Sequence, residues 1–148
     1  MSVKWSELYR WSMVEVEFGF SKDYIIDIVK DDPTCIDIQN RYVWGINLNY
    51  EFSFRHRAIV VSKSYKGSKI SVVPITEWNP SKSYDLQDES KIFVKQSEYP
   101  YLFTKDSIIL INEIQTISKK SRVRKIIKSF IPDRLKTEIA EKIKNFYA

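Results

Sequence analysis

With 148 residues, 43% of them hydrophobic and 29% charged, the chain is long enough to bury one core unaided and too apolar to stay disordered. A single cysteine, Cys35, excludes an internal disulfide and a cysteine-based zinc site, and no apolar run approaches the length that crosses a bilayer. The net charge of +5 is unevenly placed: residues 1–50 hold 5 basic and 8 acidic side chains, residues 51–148 hold 19 and 11, so an anionic partner belongs to the later part of the chain.

In chain order, MSVKWSELYRWS lacks the apolar stretch of a secretory signal, which predicts a cytoplasmic protein. Residues 3–30 are expected to be helical: Trp5, Leu8, Tyr9 and Met13 have roughly helical spacing, and SKDYIIDIVK begins at a plausible cap, Ser21, beyond Gly19. DDPT at 31–34 then breaks the helix. Cys35 follows among carboxylates that disfavour its thiolate, so it reads as apolar filler rather than a nucleophile.

From about residue 41 the pattern changes to strands. RYVWGINL is a short apolar run; RAIVVSK and KISVVPIT flank YKGS, where Gly67 is free to take a positive φ, and together predict a hairpin. Pro74 implies an edge position or the close of regular pairing. KIFVK and SIILINEIQTIS are strand-like, and IPDRLKTEIAEKIKNFY is a helix with Leu135, Ile139, Ile143 and Phe146 in one stripe. The order predicts an α+β domain: a small, strongly bent antiparallel sheet or barrel over residues 41–148, a C-terminal helix packed on it, and an N-terminal helical extension over residues 1–40.

Signatures of nucleotide, dinucleotide and zinc-protease sites are absent, and three glycines leave no phosphate-cradling loop. One histidine excludes a two-histidine nuclease. The carboxylates Asp85, Asp88 and Glu89 read as solvated loop charges, so neither metal nor cofactor is expected. What remains is Glu51, Arg55, His56, Arg57 and Thr76, all near strand ends that converge if the hairpin forms. Metal-free RNA cleavage needs a base for the ribose 2′-hydroxyl, an acid for the leaving oxygen and a cation for the crowded phosphorane, and these residue types supply all three. The plainer alternatives are charges that keep strand ends wet, a backbone cap for Thr76 and an ion pair for Glu51. Six basic residues between Lys119 and Lys128 (Lys119, Lys120, Arg122, Arg124, Lys125 and Lys128) form a patch suited to an anion, or a solvated face. The 14% aromatic content would favour single-stranded nucleic acid where rings are exposed beside such charges.

The ordered elements VWGINLNYE, RHRAIVVS, VVPIT, LINEIQTISKKSR and IPDRLKTEIAEKI, from about residue 42 to the end, resemble the MazF/PemK family of toxins from type II toxin–antitoxin modules. The resemblance implies a curved, SH3-like barrel, a homodimer, and a metal-independent endoribonuclease that cuts single-stranded RNA and is held in check by an acidic antitoxin. By position, Thr76 contacts the scissile phosphate, one of Arg55, His56 and Arg57 is the acid or stabilises the phosphorane, and Glu51 is base, orienter or substrate contact. Ser62, Lys119, Lys120, Arg122 and Arg124 are the expected RNA contacts. The chain departs from the family in lacking the arginine–proline pair. The register set by Glu51 and Ser62 puts His56 at the arginine position and Arg57 at the proline, and Asn112 stands where aspartate is common. Two other readings follow from the same fold: an inactive module that binds RNA or protein, and a toxin directed at DNA gyrase.

Overall fold

The computed structural model of the protein describes residues 3–21, 46–47 and 55–147. A single 3-10 turn, Trp5–Glu7, leads into strand β1, Met13–Glu17. Two short strands, β2 (Phe20–Ser21) and β3 (Ile46–Asn47), pair in parallel as a separate ribbon. Then come β4 (Arg55–Val60), β5 (Lys69–Glu77), β6 (Lys91–Val94), β7 (Ser107–Leu110), β8 (Gln115–Ser118), helix α1 (Lys119–Arg122), β9 (Val123–Ile127) and helix α2 (Asp133–Tyr147).

Seven of the strands form one antiparallel sheet in the order β6-β7-β5-β4-β1-β9, with β8 also on β5. The predicted hairpin is β4–β5, and the predicted closing helix is α2. β5 changes partner along its length: Lys69–Val72 pair with β8 and Ile75–Glu77 with β7. Pro74 falls in the gap between those two ladders, where its missing N–H removes no bond to a neighbour on that side. β5 passes from one partner to the other there, and the run SIILINEIQTIS is split accordingly into β7 and β8 by a 3-10 turn at Ile111–Glu113. Gly67 does not use its freedom; Gly19 does, at a φ of 101°.

The main departure from expectation lies near the N-terminus. Met13–Glu17, read as part of a helix, is a strand held between β4 and β9, pairing Glu15 with Arg57 on one side and with Lys125 on the other. Its sequence carries the reason. Val14, Val16 and Phe18 are buried and alternate with Glu15 and Glu17, a period of two that the helical spacing of Trp5, Leu8 and Tyr9 obscures. The first strand of the sheet is therefore this one; of VWGINLNYE only Ile46–Asn47 lies within the described residues, and it joins the small parallel ribbon. β9, formed by VRKII, was not anticipated either; its charges mask a strand whose Val123 is buried. The expected helix at 21–30 falls outside the described residues from residue 22 onward.

The two faces of the sheet bury two cores. Met13, Ile59, Val73, Ile75 and Ile109 face α2, whose Leu135 and Ile139 are fully buried. Each of those two side chains contributes about 1.5–3 kcal/mol by leaving water. The stripe weakens at half-buried Ile143 and ends before Phe146, which is 45% exposed. Val14, Val16, Ala58, Val60, Ile70 and Val72 point the other way, to a core closed by Leu8, Phe18, Ile117 and Val123.

Candidate active site

The β4–β5 register fixes which of Arg55, His56 and Arg57 shares a face with Thr76. Arg57 pairs with Ile75 and Ala58 with Pro74, and the β4–β5 ladder ends at Arg57, so His56 and Thr76 flank its last pair. Side chains alternate along a strand. His56 thus shares a face with Ala58 and Val60, and Thr76 with Val72 and Ile70, the side of the Phe18 core. His56 indeed packs near the Phe18 ring, centroids 6.4 Å apart. Arg55 and Arg57 emerge on the opposite face, beside Glu15 and Ile75.

Both faces border one pocket of about 240 Å³ where the ends of β4, β5 and the approach to β7 meet. Arg55, His56, Arg57, Thr76, Glu15 and Lys105 line it. Four of the five residues expected to converge do so; Glu51 lies outside the described residues. The cations here are not equivalent. Arg55 donates to the Glu15 carboxylate at 3.2 Å and Lys105 to Glu77 at 3.5 Å, whereas half-buried Arg57 has no ion pair among the described residues. Among the described residues, Arg57 is thus the arginine of this pocket with no carboxylate partner.

Glu15 was missed from sequence, although the alternation of MVEVE, once recognised as a strand, would have placed it on the rim. Lys105 was missed because it lies in a loop far along the chain.

The residues expected to touch RNA separate into two groups. Ser62 accepts a hydrogen bond from the Ser71 backbone N–H at 3.1 Å, a cap on the hairpin. Lys119 is buried; its ammonium donates to the Tyr65 carbonyl at 2.9 Å and sits 5.6 Å from the centre of the Trp5 ring. The Arg122 guanidinium donates to the Glu17 carbonyl at 3.3 Å, and burial lowers its pKa against the pull of the Glu17 charge. Arg124 donates to the Ser121 carbonyl at 3.0 Å; burial lowers its pKa, with Arg55 and Arg122 adding repulsion that the Glu17 charge opposes. Lys120 is exposed. The short helix α1 thus uses two of its basic side chains as ties, Lys119 to the β4–β5 connection and Arg122 to β1.

Among the described residues no helix is long and apolar enough to cross a membrane, and no group of three His, Cys, Asp or Glu side chains is placed to hold a metal ion. Among solved structures, the Mycobacterium tuberculosis toxin MazF-mt6 is similar, with 14% identity and a TM-score of 0.49 over 66% of this chain and 90% of that one. An Mtb toxin is similar with 16% identity and a TM-score of 0.45, over 61% of this chain and 90% of that one. No curated protein sequence is significantly similar to this chain. Residues 41–147 match the family model of the PemK-like, MazF-like toxin of type II toxin–antitoxin systems, well over half of the chain, and the protein belongs to that family.

Proposed function

We propose that this toxin is an endoribonuclease that cleaves single-stranded RNA by attack of a ribose 2′-hydroxyl on the adjacent phosphorus. The P–O5′ bond breaks, leaving a 2′,3′-cyclic phosphate and a 5′-hydroxyl. The observation that carries the reading is that His56, Thr76 and Arg57 line one pocket at the end of the β4–β5 ladder. In the cationic form the His56 imidazolium donates its proton to the departing O5′. The Thr76 hydroxyl donates to a non-bridging oxygen, and Arg57 offsets the extra negative charge of the phosphorane. Glu15, held by Arg55, takes the proton from the 2′-hydroxyl; Glu51 keeps the supporting role that family position implies. No metal enters this scheme, because the protein groups supply acid, base and charge.

The same reading assigns the remaining partners. An acidic antitoxin would neutralise the basic rim, and a homodimer, as family membership implies, would place two such pockets in one particle. Size-exclusion chromatography with light scattering decides the latter.

Incubating the pure protein with RNA in the presence of EDTA, then mapping the ends, tests the chemistry. Cyclic phosphate ends are expected from wild type, with His56→Ala and Thr76→Ala each slower by about 10²-fold or more. Intact RNA from wild type overturns the proposal and favours a binding module; equal cleavage by all three overturns the assignment of His56 and Thr76 to the chemistry.

A further inference from the structure

A second groove, of about 460 Å³, lies between the N-terminal segment and the edge strand β9. Lys4, Arg55, Arg124, Lys125 and Lys128 line it against a single carboxylate, Glu7. Lys4, Lys125 and Lys128 are all exposed, and none has an ion pair among the described residues. Lys4, Lys125 and Lys128, with Glu7 as the groove's one carboxylate, repel one another, and a polyanion relieves that repulsion as it releases its own condensed counterions. Arg55 borders this groove and the His56–Thr76 pocket alike. The sheet order β5-β4-β1-β9 sets β9 three strands from Thr76, about 14 Å at ordinary strand spacing. That distance is a few nucleotides of extended chain.

We infer that this groove is an accessory RNA subsite, holding backbone phosphates a few nucleotides away from the bond that is cut. It rests on the cleavage reading above for the identity of its ligand. Continuity with the pocket through Arg55 favours RNA over an acidic protein as the occupant. Lys4 comes from the segment preceding the barrel, so that segment adds to the RNA path instead of only covering it. Exposed lysines on flexible stems contact phosphate as point charges and carry no sequence information. The subsite therefore governs affinity and the length of RNA engaged, not the cleavage motif.

The test compares Thr76→Ala protein, chosen because its turnover is expected to be slow on the time of a binding measurement, with the same protein also carrying Lys4→Ala, Lys125→Ala and Lys128→Ala. Binding of fluorescein-labelled oligouridylate is measured across a salt series. The expected result is weaker binding and a log K against log salt slope shallower by about 0.7 for each phosphate that is no longer neutralised. With Thr76 intact, the three lysine changes should raise KM for a long oligonucleotide, leave kcat unchanged, and spare one that spans only the His56–Thr76 pocket. An unchanged slope, or equal effects on long and short substrates, overturns the inference. An unchanged RNA slope with weakened binding of polyglutamate assigns the groove to an acidic protein and overturns it too. If wild type binds oligouridylate but leaves it intact while the slope still falls in the variant, the subsite stands and the cleavage reading fails.

Discussion

The Glu15 carboxylate accepts a hydrogen bond from the Arg55 guanidinium at 3.2 Å, diagonally across the β1–β4 ladder, since the register pairs Glu15 with Arg57 and Arg55 with Glu17. Both side chains are partly exposed, so the pair contributes at most about 1 kcal/mol to stability. Its consequence is positional. It neutralises Arg55 where the two grooves join, and it brings a carboxylate into the pocket of His56 and Thr76. Glu15→Gln keeps the shape and removes the charge. RNA cleavage should fall by about 10²-fold while the urea midpoint moves little; a normal rate would remove Glu15 from the chemistry.

In the proposed scheme His56 supplies a proton and a positive charge at the leaving oxygen. His56→Ala should slow cleavage by about 10²-fold, whereas His56→Arg, which keeps a cation and its donors at the position, should retain part of the rate. Equal rates in the two variants would show that a cation at position 56 is not what the reaction uses.

Because β1 lies between β4 and β9, the N-terminal region is not dispensable to the sheet. Removing residues 1–40 strips Val14, Val16 and Phe18 from the core they share with Ala58 and Val60, leaves β9 without a partner and bares one edge of β4. Each fully buried valine alone represents about 1.5–3 kcal/mol, so the truncated chain should fail to fold cooperatively. Circular dichroism and urea titration read this directly. A cooperative transition near that of the full chain would show that the strand is not required.

Asp88 anchors the loop before β6. Its carboxylate accepts from the Ser90 N–H at 2.9 Å, the Ser90 hydroxyl at 2.6 Å and the Lys91 ammonium at 2.8 Å. Those hydrogen bonds, that of Lys91 foremost, hold its pKa far below the usual carboxylate range. A depressed folded-state pKa stabilises the fold above the unfolded value of about 3.9, and the contribution is lost as pH falls below it. Asp88→Asn should therefore lower the urea midpoint at pH 7, and the gap from wild type should narrow by pH 3. A gap that stays constant with pH would mean that the charge of Asp88 is not what stabilises the loop.

The chain itself determined a good deal. Two β-branched runs around YKGSK specify the β4–β5 hairpin, the Pro132–Asp133 start and the apolar stripe through Leu135 and Ile139 specify α2, and Pro74 marks the change of ladder on β5. The order of these elements is enough to indicate the toxin family. Local pattern failed at β1 and β9, where strand alternation competes with helical spacing or is diluted by charge; tertiary pairing settles such segments because each is stabilised by its neighbours in the sheet. The site depended on the same long-range fact. Arg55, His56 and Arg57 are chemically plausible in any order, and nothing local distinguishes them. Only the antiparallel register, fixed by burial of Ala58, Ile59 and Val60 on alternate faces, puts His56 on the same face as Thr76, turns Arg57 to the other side, and brings Glu15 from 40 residues upstream to meet Arg55.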